Sequence, residues 1–425
     1  MKNLGFFTLA IWVLATMTGC DYHFSSYSGA WTNADLTAVT NVTQTTGIPS
    51  GLKGLTVDNR LGSIHVNGTD NGATAWTWKL TIHARSENVA QQIASNTICK
   101  AEIKGDYLSL SVSLPDSSEP HCIESDFEIT APKSIAVQAE NGFGGILIAD
   151  FAGNVRATNK NGPLEIRDIG GNVEARTSFD TLSVSNTGPA TLKNQNGKIQ
   201  VAVVTGPLKA ATSFASLVVR DIRGAASLSN QNGEIQAVAI QGALDAKTSF
   251  DSLVAREIRG PVRLRDQNGS VQLNQVNGSA DIETSFDSLS VEGIQGDAVL
   301  KNQNGEVRAS GITGFIKAST SFAAMEVAGS GPMFLCNNQN GGIRLHATST
   351  ALTNLEAKTS FGTLEVHLAA GLKPAIQAHT TFGNVESDFP VLMKPSGEDP
   401  FTEIAPDTPQ IRLQNQNGNI SIVQD

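Results

Sequence analysis

The residues TSFDTLSV at positions 177–184 are followed one step later by NQNGKIQV at positions 194–201, and the two stretches are variants of one unit. The third position of the unit, Phe179 or Asn196, is here called the corner. Corners recur at nearly constant steps and alternate between Phe and Asn, before two longer steps and a final insertion. The complete series of corners is Phe143, Asn161, Phe179, Asn196, Phe214, Asn232, Phe250, Asn268, Phe286, Asn304, Phe322, Asn340, Phe361, Phe382 and Asn417.

A second series of residues keeps the same register. Between corners, apolar residues such as Leu217 and Val219 alternate with polar ones at a period of two, which is typical of strands rather than helices. A repeat of about 18 residues with this alternation predicts an all-β fold, a single-stranded parallel β-helix (β-solenoid) whose repeat unit is two coils. The second series consists of Gly153, Gly171, Gly188, Gly206, Gly224, Gly242, Gly260, Gly278, Gly296, Gly314 and Gly331.

The two kinds of corner predict different structural roles. The pair Asn196-Gly197 and its copies favour a tight bend with positive φ. The corner Phe side chains alternate with apolar Leu and Val, so we expect them to point inward and fill volume between Asn layers. If they pointed outward instead, they would form a stripe of aromatic rings suited to stacking on sugars.

The chain divides into segments around this repeat. We assign residues 1–19 to a signal peptide, 20–50 to a tether or weakly ordered cap, and 51–135 to a first coil and an N-terminal capping region. Within that region, 76–84 and 107–114 alternate like strands, and Ser86 is a helix N-cap candidate. Residues 136–387 form the solenoid, 388–410 a Pro-rich loop and 411–425 the last coil.

The segment from Met1 to Cys20 resembles a bacterial lipoprotein leader. Lys2 precedes an apolar stretch, which is too short to span a bilayer, and Met17-Thr18-Gly19-Cys20 resembles a lipobox. This pattern predicts lipidation of Cys20 and attachment to a membrane of the bacterial cell envelope, on the periplasmic or surface-exposed side. The alternative is a secretory signal that happens to contain a cysteine.

The composition excludes some classes of partner. The chain has 425 residues with a net charge of -10, and no basic run or basic-aromatic patch occurs, which argues against nucleic-acid binding. No run of about 20 apolar residues occurs that could form a membrane-spanning helix.

Three cysteines remain after Cys20. Export and proximity predict a disulfide between Cys99 and Cys122. Cys336 has no obvious partner and is expected to be a small buried apolar residue.

These features together resemble a known family. The unit Leu55-Thr56-Val57-Asp58-Asn59 with Gly62-Ser63-Ile64-His65-Val66, the capping insert and the repeated Asn-Gly-x-Ile-x-Val units are similar to the exported β-strand-repeat family of unknown function, labelled candidate adhesins or head-domain adhesin-like proteins. The resemblance covers about residues 50–425 and implies a right-handed parallel β-helix. It supports the fold more than any activity.

Candidate catalytic groups are few. Asp180, Asp251 and Asp287 each follow a Phe corner, but equivalent positions hold alanine, which favours a tolerant solvated turn. A second row, with Asp168, Asp221 and Glu257, is interrupted by Asn186 and Gly293. We therefore predict no catalytic residue.

Metal and cofactor signals are also missing from the sequence. The seven histidines show no His-x-x-x-His spacing or paired carboxylates, and no nucleotide fingerprint occurs. The predicted function is adhesion-type binding of a glycan or protein at the cell envelope, without cofactor. The alternatives are a structural envelope scaffold and, less favoured, a polysaccharide-degrading β-helix enzyme.

Overall fold

The computed structural model describes residues 36–47, 51–70, 75–119, 121–392, 405 and 407–425. The predicted leader, Cys20 and most of the Pro-rich loop lie outside these residues. Within them the chain is all-β apart from one helix, and its strands stack as a β-solenoid of about 13 turns with about 18-residue spacing. In the described part of the chain, the helix falls short of the length and apolarity needed to cross a membrane.

The chain forms two compact units, one of residues up to Phe151 with Arg156–Glu165, the other of Ala152–Val155 with Ile166–Asp425. The helix and the strands up to residue 169 are β1 (Ala38–Gly47), β2 (Gly54–Leu61), β3 (Ile64–Thr69), β4 (Ala75–Ala84), α1 (Glu87–Asn96), β5 (Ile98–Lys104), β6 (Tyr107–Ser113), β7 (His121–Pro132), β8 (Ala136–Phe143), β9 (Ile146–Phe151), β10 (Val155–Asn161) and β11 (Leu164–Ile169).

The remaining strands follow in pairs, one pair per coil. They are β12 (Val173–Phe179), β13 (Leu182–Thr187), β14 (Ala190–Asn194), β15 (Ile199–Val204), β16 (Leu208–Ala211), β17 (Leu217–Ile222), β18 (Ala226–Ser229), β19 (Ile235–Ile240), β20 (Leu244–Lys247), β21 (Leu253–Ile258), β22 (Val262–Arg265), β23 (Val271–Val276), β24 (Ala280–Thr284), β25 (Leu289–Ile294), β26 (Ala298–Asn302), β27 (Val307–Ile312), β28 (Ile316–Thr320), β29 (Met325–Gly329), β30 (Met333–Asn338), β31 (Ile343–Ala347), β32 (Asn354–Phe361), β33 (Leu364–Leu368), β34 (Ala375–Phe382), β35 (Val385–Ser387), β36 (Gln410–Asn417) and β37 (Ile420–Gln424).

In the first unit, parallel coils meet antiparallel strands. β2 lies between β6 and β8, and β3 lies between β7 and β9, all in parallel. β4 pairs antiparallel with β7 and with β1, and β5 pairs antiparallel with β6. Residues 38–47, which the sequence placed in a tether or cap, thus form a strand on this sheet. The helix begins after Ser86, whose hydroxyl accepts from the N–H of Val89, in line with the expected N-cap.

The predicted Cys99–Cys122 disulfide is wrong, because Cys99 is a free thiol. Cys99 lies on β5 opposite Val112, whereas Cys122 lies on β7 opposite His83, so the two strands belong to different sheets. Burial raises the pKa of Cys99 to about 11. Cys336 is buried as expected, which raises the pKa of its thiol to about 12.

In the second unit, even-numbered strands form one parallel sheet and odd-numbered strands form another, each coil pairing with its neighbour in register. Leu217, for example, lies between Ile199 and Ile235. Most of these strands bury alternate residues, as in β17, where Leu217 and Val219 are inside. Stacked aliphatic side chains therefore form the core that a single coil could not bury alone.

An inner polar ladder runs beside this core. Thr177, Asn194, Thr212 and Asn230 are buried in successive coils, two residues before each corner. Asn194 Nδ2 donates to the carbonyl of Asp180 at 2.7 Å, while its Oδ1 accepts from the N–H of Gly197 at 3.0 Å. These side chains satisfy backbone groups at the bend, which would otherwise be buried without partners.

The Asn-Gly bend was correctly placed, but its expected positive φ is wrong for most copies. Gly162 and Gly418 adopt a positive φ, whereas interior copies such as Gly197 do not. Glycine is needed at Gly197 for a different reason, because a Cβ there would lie 1.7 Å from the carbonyl oxygen of Asp180 in the neighbouring coil.

Close approach of neighbouring coils also explains the second glycine series. A Cβ on Gly224 would lie 2.5 Å from the backbone of Gly206. Positive φ is instead regular in a different row of the solenoid, at residues such as Asp221 and Glu257.

The last coil in sequence is not the last in space. β36 pairs in parallel with β32 on one side and with β34 on the other, and β37 lies likewise between β33 and β35. Residues 411–425, predicted as a last coil, therefore insert between two earlier coils, and the β34–β35 coil lies at the end of the stack.

Candidate binding surface

Seven corner phenylalanines project from the second unit into solvent. Their side chains are exposed by between 50% at Phe361 and 71% at Phe382. The expectation that the corner Phe residues fill the interior is wrong for these seven, and only Phe143, in the first unit, is half-buried. We call the exposed set the Phe stripe: Phe179, Phe214, Phe250, Phe286, Phe322, Phe361 and Phe382.

The chain bend explains why the rings point outward. Thr177 and Leu182 both face the core, although five positions separate them and simple alternation would place them on opposite faces. The phase changes at the bend, where Thr177 Oγ1 donates to the carbonyl of Phe179 at 2.9 Å. Phe179 therefore lies outside although it follows inward Thr177 by two residues.

Phe and Asn corners alternate along the stripe as far as its end. Phe361 pairs with Asn417, which in turn pairs with Phe382, so the inserted coil restores the alternation that the sequence order breaks. Successive Phe residues are two coils apart, or about 9.6 Å at the usual strand spacing. The result is a row of aromatic rings at regular intervals.

The Asn corners between the rings fasten neighbouring coils together. Asn232 Nδ2 donates to the carbonyl of Ser213 at 3.0 Å, and Asn268 Nδ2 donates to that of Ser249 at 2.9 Å. Each bond reaches the residue just before a Phe corner. The amides thereby hold the backbone that positions the adjacent ring.

A groove of about 630 Å³ adjoins the stripe. The residues directly before three of the Phe corners, Ser213, Ser249 and Ser285, line it, together with Gln231 and Gln267 beside the Asn corners. These hydroxyls and amides offer hydrogen-bond donors and acceptors without net charge.

Two of the charged side chains that line the groove, Arg265 and Glu283, form ion pairs. Arg265 Nη2 donates to Asp281 Oδ2 at 2.6 Å, and Lys301 Nζ donates to Glu283 Oε1 at 2.6 Å. The Arg265 guanidinium holds the pKa of Asp281 below its usual value, and Lys301 does the same for the pKa of Glu283. With Lys247 and Asp266, the lining holds two basic and two acidic residues, so its charges balance and the groove suits an uncharged polar ligand better than a highly charged one.

The carboxylates considered for catalysis have structural roles. Asp180, Asp251 and Asp287 each accept a hydrogen bond from the next residue's backbone N–H, at 2.6 to 2.7 Å. These bonds stabilise the turn after the Phe corner.

The second carboxylate row marks another bend of the coil. Asp168, Asp221 and Glu257 have φ of 58° to 60°, and the residues that interrupt the row, Asn186 and Gly293, share this left-handed conformation. Asp, Asn and Gly tolerate it best, but the row also holds Val203 at a φ of 58°, so residue preference alone does not explain its composition. Part of this row lines a second groove of about 870 Å³.

One group of potential metal ligands escaped the sequence patterns. His346, His367 and Asp425 are far apart in sequence, yet one ligand atom from each lies within 4.8 Å of the others. His367 Nδ1 lies 2.9 Å from Asp425 Oδ1, and its Nε2 lies 2.8 Å from Glu365 Oε1. The sequence indicates this group only when successive coils are aligned, because His346 and His367 then occupy equivalent positions.

No protein-family model and no curated protein matches the chain. Solved structures similar to it include a candidate cell adhesion protein from Clostridium sporogenes, 9% identical over 91% of this chain and 100% of that one, with a TM-score of 0.17. A candidate adhesin from Bacteroides fragilis is 11% identical over 90% and 97% of the two chains, with a TM-score of 0.16. A candidate lipid binding protein from Parabacteroides distasonis is 10% identical over 90% and 96%, with a TM-score of 0.15.

The first two of these neighbours carry the adhesion labels of the family that the sequence resembles. At such identities and TM-scores, a function for this chain has to be argued from its own surface.

Proposed function

We propose that this protein is a non-catalytic, adhesion-type protein of the bacterial cell envelope that binds an extended, uncharged glycan along the Phe stripe. The observation that carries the proposal is the exposure of seven corner rings, each at least half accessible. A row of exposed apolar side chains of this size is typical of an interaction site, because leaving such rings in water gives up the free energy of burying them.

The chemistry of the surface supports a sugar ligand. A pyranose ring presents an apolar C–H face that packs on an aromatic ring and a rim of hydroxyls that need hydrogen-bond partners. The rings of the Phe stripe offer a surface for the C–H face, and the adjoining serines and glutamines of the groove offer hydrogen-bond partners for the hydroxyls. The two-coil interval of about 9.6 Å is comparable to the repeat of a disaccharide unit in an extended chain.

Attachment to the envelope is the second part of the proposal. The lipobox-like segment ending at Cys20 would join the protein to a membrane through lipid. Replacing Cys20 by Ser should abolish metabolic palmitate labelling and release the protein from the membrane fraction. Retention of the variant in that fraction would contradict lipid anchoring, whatever the ligand.

The binding proposal is tested with a soluble mature chain on a glycan array and in pull-downs with insoluble polysaccharides. The variant Phe214→Ala/Phe250→Ala/Phe286→Ala removes three neighbouring rings. Since each aromatic contact contributes roughly 0.5–1.5 kcal/mol, the apparent affinity should fall at least about tenfold.

The control is Val203→Ala/Val299→Ala, which removes apolar side chains that are each 37% exposed but lie away from the corners. It should bind as the parent does. The proposal would be overturned if both variants lost glycan affinity equally, or if the triple Phe→Ala variant bound glycan as the parent does. Capture of an envelope protein through the rings, with no glycan bound, would favour the structural-scaffold alternative instead.

A further inference from the structure

The histidine pair near the end of the second unit is arranged like a set of metal ligands. His346 on β31 and His367 on β33 lie side by side in adjacent coils. Their rings are stacked, with centroids 4.2 Å apart and planes 15° apart. Asp425, directly after β37, faces both: its Oδ1 is 2.9 Å from His367 Nδ1 and its Oδ2 is 4.0 Å from His346 Nδ1.

A further carboxylate orients the more buried histidine. Glu365 Oε1 lies 2.8 Å from His367 Nε2, and Arg344 Nε donates to Glu365 Oε2 at 2.9 Å. A hydrogen bond from Nε2–H to a carboxylate fixes the imidazole tautomer and leaves the Nδ1 lone pair for a cation. This carboxylate–histidine arrangement is the usual support of metal-ligating histidines.

The donor set determines which ion would fit. Two imidazoles and one carboxylate suit Zn²⁺ and related transition-metal dications, whereas Ca²⁺ and Mg²⁺ prefer oxygen ligands. Ligand atoms around a tetrahedral Zn²⁺ are about 3.4 Å apart, for bonds of about 2.0–2.1 Å. The three atoms here lie within 4.8 Å of one another, and Asp425, with 48% of its side chain exposed, can move inward.

We propose that His346, His367 and Asp425 bind one Zn²⁺ ion, with water in the remaining position and Glu365 as a positioning residue for His367. The ion would bridge β31, β33 and the end of β37. It would thereby fasten the inserted C-terminal coil to its neighbours, independently of any ligand on the Phe stripe.

The test uses the untagged mature chain, since a histidine tag would itself bind zinc. Isothermal titration with ZnCl₂ should show one saturable site, with no comparable binding of CaCl₂ or MgCl₂. Zinc should also raise the melting temperature. His346→Asn, His367→Asn and Asp425→Asn should each remove this site, while Glu365→Gln should keep the stoichiometry and weaken the affinity by about 10- to 100-fold.

His379→Asn is the matched control, because His379 is an exposed histidine of the same unit on β34. It should bind zinc as the parent does. Absence of saturable zinc binding, or its persistence in His346→Asn, would overturn the proposal. His346 is only partly buried, so that variant should fold even if His367→Asn does not, and circular dichroism will show this.

Discussion

Residue 266 stands out in the inner polar ladder. Where other coils bury Asn or Thr, this coil buries Asp266, only 4% exposed. Asn230, at the equivalent position, donates from Nδ2 to the carbonyls of Ala215 and Glu234 at 2.8 and 3.3 Å. An ionised carboxylate has no proton to donate in such bonds. Burial raises the pKa of Asp266, and the charge of Asp251 adds to this, while nearby backbone N–H groups partly offset it.

Asp266→Asn should therefore stabilise the protein at pH 7 by roughly 1–3 kcal/mol. A carboxyl whose folded-state pKa lies above its ordinary value of 3.8 binds its proton more tightly in the folded than in the unfolded protein. The parent protein therefore loses stability as the pH rises from the ordinary pKa to the folded-state pKa. The advantage of the variant should be small below about pH 4 and should grow above it. Urea unfolding of both proteins from pH 3.5 to 8 measures this, and a pH-independent difference would contradict it.

The outward direction of the Phe stripe also has a consequence for stability. Phe286 is 60% exposed, so Phe286→Ala should change the free energy of unfolding by no more than about 0.5 kcal/mol. Phe334 is fully buried, and Phe334→Ala should cost about 3–5 kcal/mol. Denaturant unfolding compares the two, and equal costs would mean that the corner rings are packed inside.

At the scale of strands, sequence reasoning succeeded wherever a coil repeats the residue pattern of the coil before it. The regular steps between corners predicted the coils, and the glycine series kept the same register. Only the structure shows that these glycines lie where neighbouring backbones approach closely. It failed at the Phe corners, because a period of two holds within a strand and is lost at the bend after Thr177. It also missed His346 and His367, which become neighbours only once the longer coil between them is placed in register.

The inserted C-terminal coil gives a prediction that depends on its order in space. Removing residues 410–425 takes out the interior residues Ile411, Leu413, Ile420 and Ile422, all at most 1% exposed, and leaves β34 and β35 without their neighbours. The cost should be roughly 6–12 kcal/mol, at about 1.5–3 kcal/mol for each buried side chain.

Removing residues 375–409 instead joins Pro374 directly to Gln410 and takes away the coil at the end of the stack together with the Pro-rich loop. Since β36 already pairs with β32, the shortened chain should fold with a similar melting temperature. If the coils were stacked in sequence order, the shorter C-terminal truncation would be the milder of the two. Thermal unfolding of both variants decides between these orders.

For the molecule as a whole, the two-coil repeat predicts which deletions are tolerated. Deleting Gly233 to Asn268 removes two whole coils and joins Asn232 to Gly269, so that the Phe/Asn alternation and every inward position are kept. Solenoid stability is close to a sum of coil and nearest-neighbour terms, so the melting temperature should change little. The deletion also removes the buried Asp266, which favours the shortened chain.

A half-coil deletion, Gly233 to Gln241, should be far more damaging although it is shorter. It removes β19 and leaves half a coil, so the ladders that β19 makes with β17 and β21 lose their middle strand. Each buried backbone group left without a partner costs about 1–3 kcal/mol, and the variant should unfold or aggregate. Circular dichroism and size-exclusion chromatography compare the two chains. A soluble half-coil deletion beside an insoluble two-coil deletion would contradict a stability built from repeated, interchangeable coils.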